Sequence, residues 1–344
     1  MFSKDIAIDL GTASTLAYVR KRGVVVNEPS IVALERRNNK VLAVGVEARR
    51  MAGRTSDEIR ISRPLKDGVI AEYTVTETML RYFIDKALRR SRTSWEFFTG
   101  KPRLVVGVPS GGTQVERRAV EDAGIAAGAK EVYLIEEPMA AAIGAGLPVT
   151  EPRGCMILDI GGGTTEAAVI SIGGMVATKS SRVAGDEMDE DIGRFFRQQY
   201  NLLIGEYTAE EVKINIGSAY PVNDQKTTVV KGRDLLTGLP RMVEVTAEEI
   251  RVALQKTFTS IADVVKSTLE ITPPELSADI LDRGLVIAGG GALIKGLDLF
   301  LAKEVSFPVH IAPKPIEVVV LGAGKALEEM HAFRKMLYSA RNQR

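Results

Sequence analysis

A shift of 150 residues lays the chain on itself: Asp9 falls on Asp159, Gly11 on Gly161, Ala17 on Ala167 and Gly23 on Gly173. Three short apolar runs keep register with those residues in each copy. In the first copy they are Asp5 to Asp9, Thr15 to Val19 and Val24 to Leu34, with a turn at Lys21 to Gly23. In the second they are Cys155 to Asp159, Glu166 to Ile172 and Met175 to Ser180, with a turn at Gly173 and Gly174. Runs of this length bounded by glycine read as strands, so each copy predicts a β-meander. Glycine turns recur in any chain that mixes strands and helices, but here acid, glycine and strand length all keep step. An internal duplication explains this best.

Downstream of the first meander, strand and helix alternate. Apolar residues at helical spacing (Met79, Leu80, Phe83, Ile84, Ala87, Leu88) predict a helix from Thr76 to Arg92. Leu104 to Val108 reads as a buried strand ending at Pro109, Gln114 to Ala127 as a helix, and Val132 to Ile135 as another strand. Pro138, tolerated in a first helical turn, opens the alanine-rich helix Met139 to Ala145. This alternation places the chain in the α/β class. Its 344 residues exceed the ~250 at which single cores tend to divide, so two lobes are expected.

Composition removes several functions. Forty-five basic residues against 44 acidic ones leave no excess of charge to hold a polyanion, so nucleic acid is not an implied partner. Cys155 is the sole cysteine, which excludes an intramolecular disulfide and a cysteine-based metal site, and His310 and His331 are the only imidazoles. A reducing, cytosolic compartment fits. No run approaches the ~20 apolar residues of a membrane span, and Met1 to Asp5 do not form a signal peptide, so a soluble or peripheral protein is expected.

The chemistry-bearing residues sit where each meander turns. Asp9 is followed by Gly11, Thr12, Ala13 and Ser14; Asp159 is followed by Gly161, Gly162, Gly163, Thr164 and Thr165. Glycines let backbone N–H groups approach an anion closely, and the hydroxyls add donors. Asp9 and Asp159 would repel a phosphate, yet they suit a hydrated Mg²⁺, which needs one or two carboxylates beside the phosphates. Either turn alone is an ordinary tight turn with a capping aspartate. Two in one register can clamp a triphosphate and its metal. No G-x-x-x-x-G-K-[ST] loop occurs, and no G-x-G-x-x-G follows the first strand. A third glycine run, Gly289, Gly290 and Gly291 with Ala292, follows the strand Gly284 to Ile287 and precedes a short helical stretch with Lys295; it offers bare backbone to a base or ribose.

The two turns and the glycine run resemble the phosphate 1, phosphate 2 and adenosine motifs of the actin, sugar kinase and heat-shock chaperone superfamily. Asp9 to Ala13, Asn27 to Ser30, Arg63 to Ala71, Glu136 to Gly144, Asp159 to Glu166 and Lys213 to Ala219 are similar to segments of its MreB family, a likeness spanning residues 5 to 333. The resemblance implies an actin-like fold of two duplicated, ribonuclease H-like lobes around a nucleotide cleft, binding ATP and Mg²⁺. It implies that Glu137 orients the attacking water and that Thr164 helps hold that water or the γ-phosphate, while Glu136 is structural or solvated. Glu210 and Lys213, three apart on a helix from Thr208 to Ile214, would border the adenosine; a surface ion pair is the plainer reading. Gly185 would lie beside the ribose. The family likeness also implies self-assembly into filaments at the inner face of the cytoplasmic membrane, rod-shape maintenance with cell-wall synthesis, and partners of the RodZ, MreC and MreD type.

Lobe I is then expected at 1–148 and 312–344, with a small subdomain at about 32–75. Lobe II is expected at 149–311, with a subdomain at about 182–250 that holds a β-hairpin from Lys226 to Val245. Ser14 stands where MreB proteins usually have asparagine, which keeps a small donor and puts the hydrolysis rate in question. Met1 to Lys4 are shorter than the amphipathic leader of many relatives, so membrane attachment is not expected to rest on that end alone. The alternatives are a small-molecule (sugar or acid) kinase of the same fold, for which no extra acceptor-binding domain is evident, and an MreB paralogue with another cytoskeletal task; a chaperone is disfavoured for want of a client-binding segment. Trp95, Phe97 and Phe98 lie in a polar stretch flanked by Arg89, Arg90, Arg92, Lys101 and Arg103. That pattern suits a membrane-surface anchor, or rings that cap the core of the lobe.

Overall fold

The computed structural model describes residues 5–90, 100–221 and 226–339. The chain opens with β1 (Ile6–Leu10), β2 (Ser14–Val19) and β3 (Gly23–Pro29). A small three-stranded unit follows: β4 (Val32–Glu35), β5 (Val41–Val44), the short helix α1 (Val46–Met51) and β6 (Ile59–Ser62). The two-residue hairpin strands β7 (Leu65–Lys66) and β8 (Val69–Ile70) lead into α2 (Tyr73–Arg90). Then come β9 (Arg103–Val108), α3 (Gln114–Ala126), β10 (Glu131–Glu136) and α4 (Glu137–Gly144).

The second meander is β11 (Cys155–Ile160), β12 (Thr165–Ser171) and β13 (Gly174–Ser181). It runs into α5 (Gly185–Tyr200), β14 (Leu202–Leu203), α6 (Glu206–Ile216), the hairpin β15 (Thr227–Asp234) with β16 (Pro240–Thr246), and α7 (Ala247–Glu270). The remainder is α8 (Pro274–Arg283), β17 (Leu285–Ala288), α9 (Leu297–Val305), β18 (Val309–Ile311) and α10 (Val318–Glu328).

Two five-stranded sheets result, ordered β10-β9-β1-β2-β3 and β18-β17-β11-β12-β13. Each is an antiparallel meander extended on one side by two parallel strands. The order is identical in both, as the duplication requires. β11 and β12 are buried along their whole length, with apolar stretches from Cys155 to Leu158 and from Ala167 to Ile170, whereas the edge strand β13 is half exposed. α3 and α7 begin at full capping boxes, Thr113 with Glu116 and Thr246 with Glu249, which satisfy the first free N–H groups of each helix.

One expectation needs correcting. The run from Val24 to Leu34 is two strands, broken at Ser30 and Ile31, and β4 belongs to the small sheet. Pro29 has no N–H to continue the ladder, and the Ser30 hydroxyl is taken up inward, donating to the Gly11 carbonyl at 2.6 Å and lying 2.8 Å from the Thr15 hydroxyl.

Between the sheets lies a core drawn from both, with Ala7, Val105 and Ile135 on one side and Ile157, Ala168 and Ile170 on the other. Its middle is the crossing of α4 and α10. α4 follows a strand of the first sheet yet packs on β11 and β12; α10 follows a strand of the second yet packs on β1, β2 and β9. A Cβ on Gly144 would collide with the Val318 carbonyl, and one on Gly322 with the Ala140 carbonyl. Each glycine stands four residues after the carbonyl that the other glycine touches. The crossing is therefore symmetric, and its helices meet backbone to backbone.

Candidate functional site

The two duplicated turns face each other across a cleft of about 600 Å³. A Cβ on Gly162 would meet Ala13 Cβ at 2.6 Å, and one on Gly163 would meet Thr12 Oγ1 at 2.8 Å, so the side chains of the first turn leave no room for any at these two positions of the second. Thr12 Oγ1 accepts from the Gly68 amide at 3.0 Å, which leaves the hydroxyl hydrogen free to donate into the cleft. Asp9, Gly11, Thr12, Ala13, Ser14, Glu137, Asp159, Gly161, Gly162, Gly163 and Thr164 all line this space. Thr165 does not. It is the first residue of β12, is wholly buried, and donates to the Val183 carbonyl at 2.7 Å. Its counterpart one repeat earlier, Thr15, is buried in the same way against Ser30.

Four carboxylates, Asp9, Glu137, Asp159 and Glu166, act on one another electrostatically at the floor. Glu137 is the first residue of α4, with the helix's positive N-terminal end beside it. Burial, then the charges of Glu166, Asp9 and Asp159, hold its carboxyl well above the usual range. Burial pushes Asp9 up to about 7, and burial with Asp9 and Glu166 nearby pushes Asp159 up to about 8. One Asp159 oxygen, Oδ1, is buried without a hydrogen-bond partner. Such a cluster suits a cation that pays back the lost hydration. Among the described residues no three ligating side chains converge to hold a metal unaided. The donor set thus fits Mg²⁺ bound through water and shared with phosphates, as a hard cation that keeps much of its shell. Cys155 offers no rival nucleophile, since burial lifts its thiol to about 11.

Glu166 was not singled out from sequence, although it ends the motif that begins at Asp159. It pairs across the ladder with Asp159, is 1% exposed, and accepts from Ser110 N and Oγ at 3.1 and 2.9 Å. Its signal was an acid in a strand otherwise apolar.

The upper cleft is built from the second lobe. Gly185 opens α5 against the second turn, its N–H donating to Gly161 O at 3.1 Å, while Asp186 N donates to Gly162 O at 2.7 Å. Lys213 Nζ donates to Gly185 O and to Asp189 Oδ2, both at 2.8 Å. Burial raises Asp189 to about 6 against the pull of Lys213. Glu210 lines the cleft as Lys213 does, but the two do not pair with each other: Glu210 takes Arg49 from the opposite lobe. Of the glycine run, Gly290 alone has open space above it. A Cβ on Gly289 or Gly291 would strike Ile160, so those two are glycines because β11 passes beneath them. Ala292 is fully buried and does not line the cleft; it packs in the lobe's core. Ile214, Leu293, Ile294 and Ile316 give this end an apolar wall.

Trp95, Phe97 and Phe98 lie outside the described residues. Of the cations flanking them, Arg103 is bound to the buried Asp5.

Three comparisons bear on this geometry. The family model described as MreB/Mbl protein matches residues 3–335. Cell shape-determining protein MreB of Escherichia coli K12 is 51% identical over 337 residues, 96% of either chain. Cell shape-determining protein Mbl of Bacillus subtilis 168 is 48% identical over 335 residues, 97% of this chain and 99% of that protein. Among solved structures, MreB5 of Spiroplasma citri bound to ADP superposes with a TM-score of 0.89 at 38% identity, covering 97% of this chain and 98% of that one. The MamK double helical filament, at 21% identity and a TM-score of 0.80 over 95% of this chain and 99% of its own, shares the fold.

Proposed function

This chain belongs to the MreB/Mbl family, and from that premise we propose that it is an actin-like cytoskeletal ATPase that binds Mg²⁺-ATP in the interlobe cleft, hydrolyses it, and polymerises into filaments that set cell shape. One observation carries the reading: the two duplicated turns close on each other beside Asp9 and the buried carboxylates of Glu137, Asp159 and Glu166. Backbone amides of Gly11 to Ser14 and of Gly162 to Thr164 bind the phosphates, while the Gly161 N–H donates to the Thr164 carbonyl at 2.8 Å and closes the turn. Asp9 and Asp159 would hold the hydrated Mg²⁺, whose charge would offset that of the phosphates. Glu137, with Thr164 beside it, orients the attacking water. Phosphoryl transfer rests on such positioning and electrostatic clamping, so one aimed carboxylate suffices. Gly185, Glu210, Lys213 and the backbone at Gly289, Gly290 and Gly291 border the adenosine, against the apolar wall of Ile214, Leu293 and Ile316. In support of a lobe I of 1–148 with 312–344, and a lobe II of 149–311, α10 packs on β1, β2 and β9.

The proposal extends to peripheral attachment at the inner face of the cytoplasmic membrane through Trp95, Phe97 and Phe98, and to wall-synthesis partners of the RodZ, MreC and MreD type. No helix among the described residues is long and apolar enough to cross a bilayer. A filament repeats a weak aromatic anchor many times, so polymerisation and attachment reinforce each other. Electron microscopy of the purified protein with ATP and Mg²⁺ should show filaments. Co-sedimentation with anionic liposomes should lose the pellet when all three rings become serine. Absence of filaments sinks the cytoskeletal reading; a polymerising triple variant that still pellets with vesicles sinks the anchor alone.

A further inference from the structure

Behind Glu137, off the lining of the cleft, a partly buried arginine bears on both flanks of that carboxylate. Arg117 of α3 donates from Nη2 to Glu136 Oε1 at 2.9 Å and to the Ser110 carbonyl at 3.0 Å. Glu136 is the residue immediately before Glu137 and stands at the N-cap position of α4, where its side chain makes no capping hydrogen bond. Ser110, in the turn after β9, donates through N and Oγ to Glu166, whose charge bears on Glu137. The guanidinium lies 5.2 Å from the centre of the Tyr338 ring. Tyr338 is itself fixed on the free edge of β10: Leu134 N donates to Tyr338 O at 2.8 Å, and Tyr338 N to Leu134 O at 3.1 Å. The neighbouring Ser339 Oγ donates to Glu121 of α3 at 2.8 Å.

Two polar atoms in this cluster, Arg117 Nε and Tyr338 Oη, are buried without partners. Unmet groups of that kind cost stability. The Arg117–Glu136 pair is, besides, partly exposed, and pairs that water reaches contribute little, about 0–1 kcal/mol. The cluster is thus poorly explained as a staple of the fold and better explained by what it holds still.

We propose that Arg117, braced by the ring of Tyr338, is a positioning residue for ATP hydrolysis that fixes Glu137 through Glu136 on one side and through Ser110 and Glu166 on the other. This rests on the reading of Glu137 as the water-orienting carboxylate. The arginine touches neither nucleotide nor water. It sets where the carboxylate points, and misplacement by about 1 Å can cost on the order of 10²-fold in rate.

The test uses the full chain carrying Arg117→Met, Arg117→Lys, Tyr338→Ala or Tyr338→Phe. Steady-state hydrolysis, affinity for a fluorescent ATP analogue, pelleting with ATP and thermal melting are measured for each. Arg117→Met should lower kcat roughly tenfold or more while KM and analogue affinity stay within about twofold and melting is unchanged. Arg117→Lys should recover part of the loss. Tyr338→Ala should lower kcat in the same sense, and Tyr338→Phe, which keeps the ring over the guanidinium, should restore it. Unchanged kcat in both Arg117→Met and Tyr338→Ala overturns the proposal. So does a fall in affinity and melting temperature that accounts for the loss in both, because the cluster is then a structural tie. Glu137→Gln run in parallel separates the two readings: wild-type turnover there removes the assigned carboxylate, whereas turnover lost there but kept in the Arg117 and Tyr338 variants removes this proposal alone.

Discussion

Asp159 brings an unpaired carboxylate oxygen to a floor already shared with Asp9, Glu137 and Glu166. Replacing it with alanine should abolish Mg²⁺-dependent nucleotide binding, because the metal and triphosphate lose a compensating charge; unchanged ATP affinity by calorimetry would contradict the assignment. Glu137→Ala should spare binding and slow hydrolysis by about 10²–10⁴, the usual worth of a positioned acid–base group. The same acids set a pH dependence. Asp9 and Asp159 have folded-state values of about 7 and about 8, above their unfolded value of 3.8, so between about pH 4 and 8 the folded protein binds more protons than the unfolded one. Stability without nucleotide should therefore fall as pH rises across that window. Differential scanning fluorimetry from about pH 5 to 8 should show melting decline, less so with Mg²⁺-ATP present. A rising or flat profile would mean the cluster is not strained. At this scale Asp9 and Asp159 were legible because duplication marked them twice. Glu166 was not, since one acid in an apolar strand has no repeat partner: position 16 of the first copy is Leu16.

The meanders, their register and most helices follow from periodicity and glycine spacing, which are local signals. The break at Ser30 escaped because Val24 to Val26 and Ile31 to Leu34 read as two ends of one apolar run, and what ends β3 is Pro29 together with hydroxyl contacts to Gly11 and Thr15, distant in sequence. The crossing of α4 and α10 was equally hidden. Gly144 and Gly322 look like weak spots in alanine-rich helices, yet each admits the partner's backbone. Gly322→Val should cost about 3 kcal/mol or more by forcing the helices apart, read as a loss of stability in denaturant titration. Gly193 of α5 is the control. A Cβ there meets nothing within 4 Å, so Gly193→Ala should stabilise by about 0.5–1 kcal/mol through helix propensity alone. Similar behaviour of the two variants would dismiss the close-crossing account.

Across the mouth of the cleft the small unit of the first lobe grips α6. Arg49 pairs with Glu210, Arg63 pairs with Glu206 at 2.7 Å, and Arg63 also reaches Asp186 at 3.6 Å. Tyr207 lies between the two guanidiniums, 5.3 and 5.9 Å from its ring, and packs against Ile31, Ala33 and Ala48. Such exposed pairs yield about 0.2–1 kcal/mol apiece, and each cation–π contact about 0.5–1 kcal/mol, so the set holds the lobes together by about 2–5 kcal/mol. Tyr207→Ala should speed nucleotide release by roughly tenfold, measured by chasing a fluorescent analogue; an unchanged off-rate would show that the clasp does not limit exit. Sequence reading set Glu210 beside Lys213 because helical spacing is visible, whereas a contact between residues 49 and 210 exists only once two lobes are built. The α4 and α10 crossing adds one more property to the assembled molecule. Glu137 stands five residues, about 8 Å, from the middle of that joint, at the tip of one of the helices that form it. A turn of about 10° between the lobes about the crossing would swing the carboxylate by on the order of 1 Å, enough to change a rate by about a hundredfold. The helix is a lever and the reaction its strain gauge: whatever fixes the angle of the joint, including the grip of neighbouring subunits, sets how fast the bound ATP is spent.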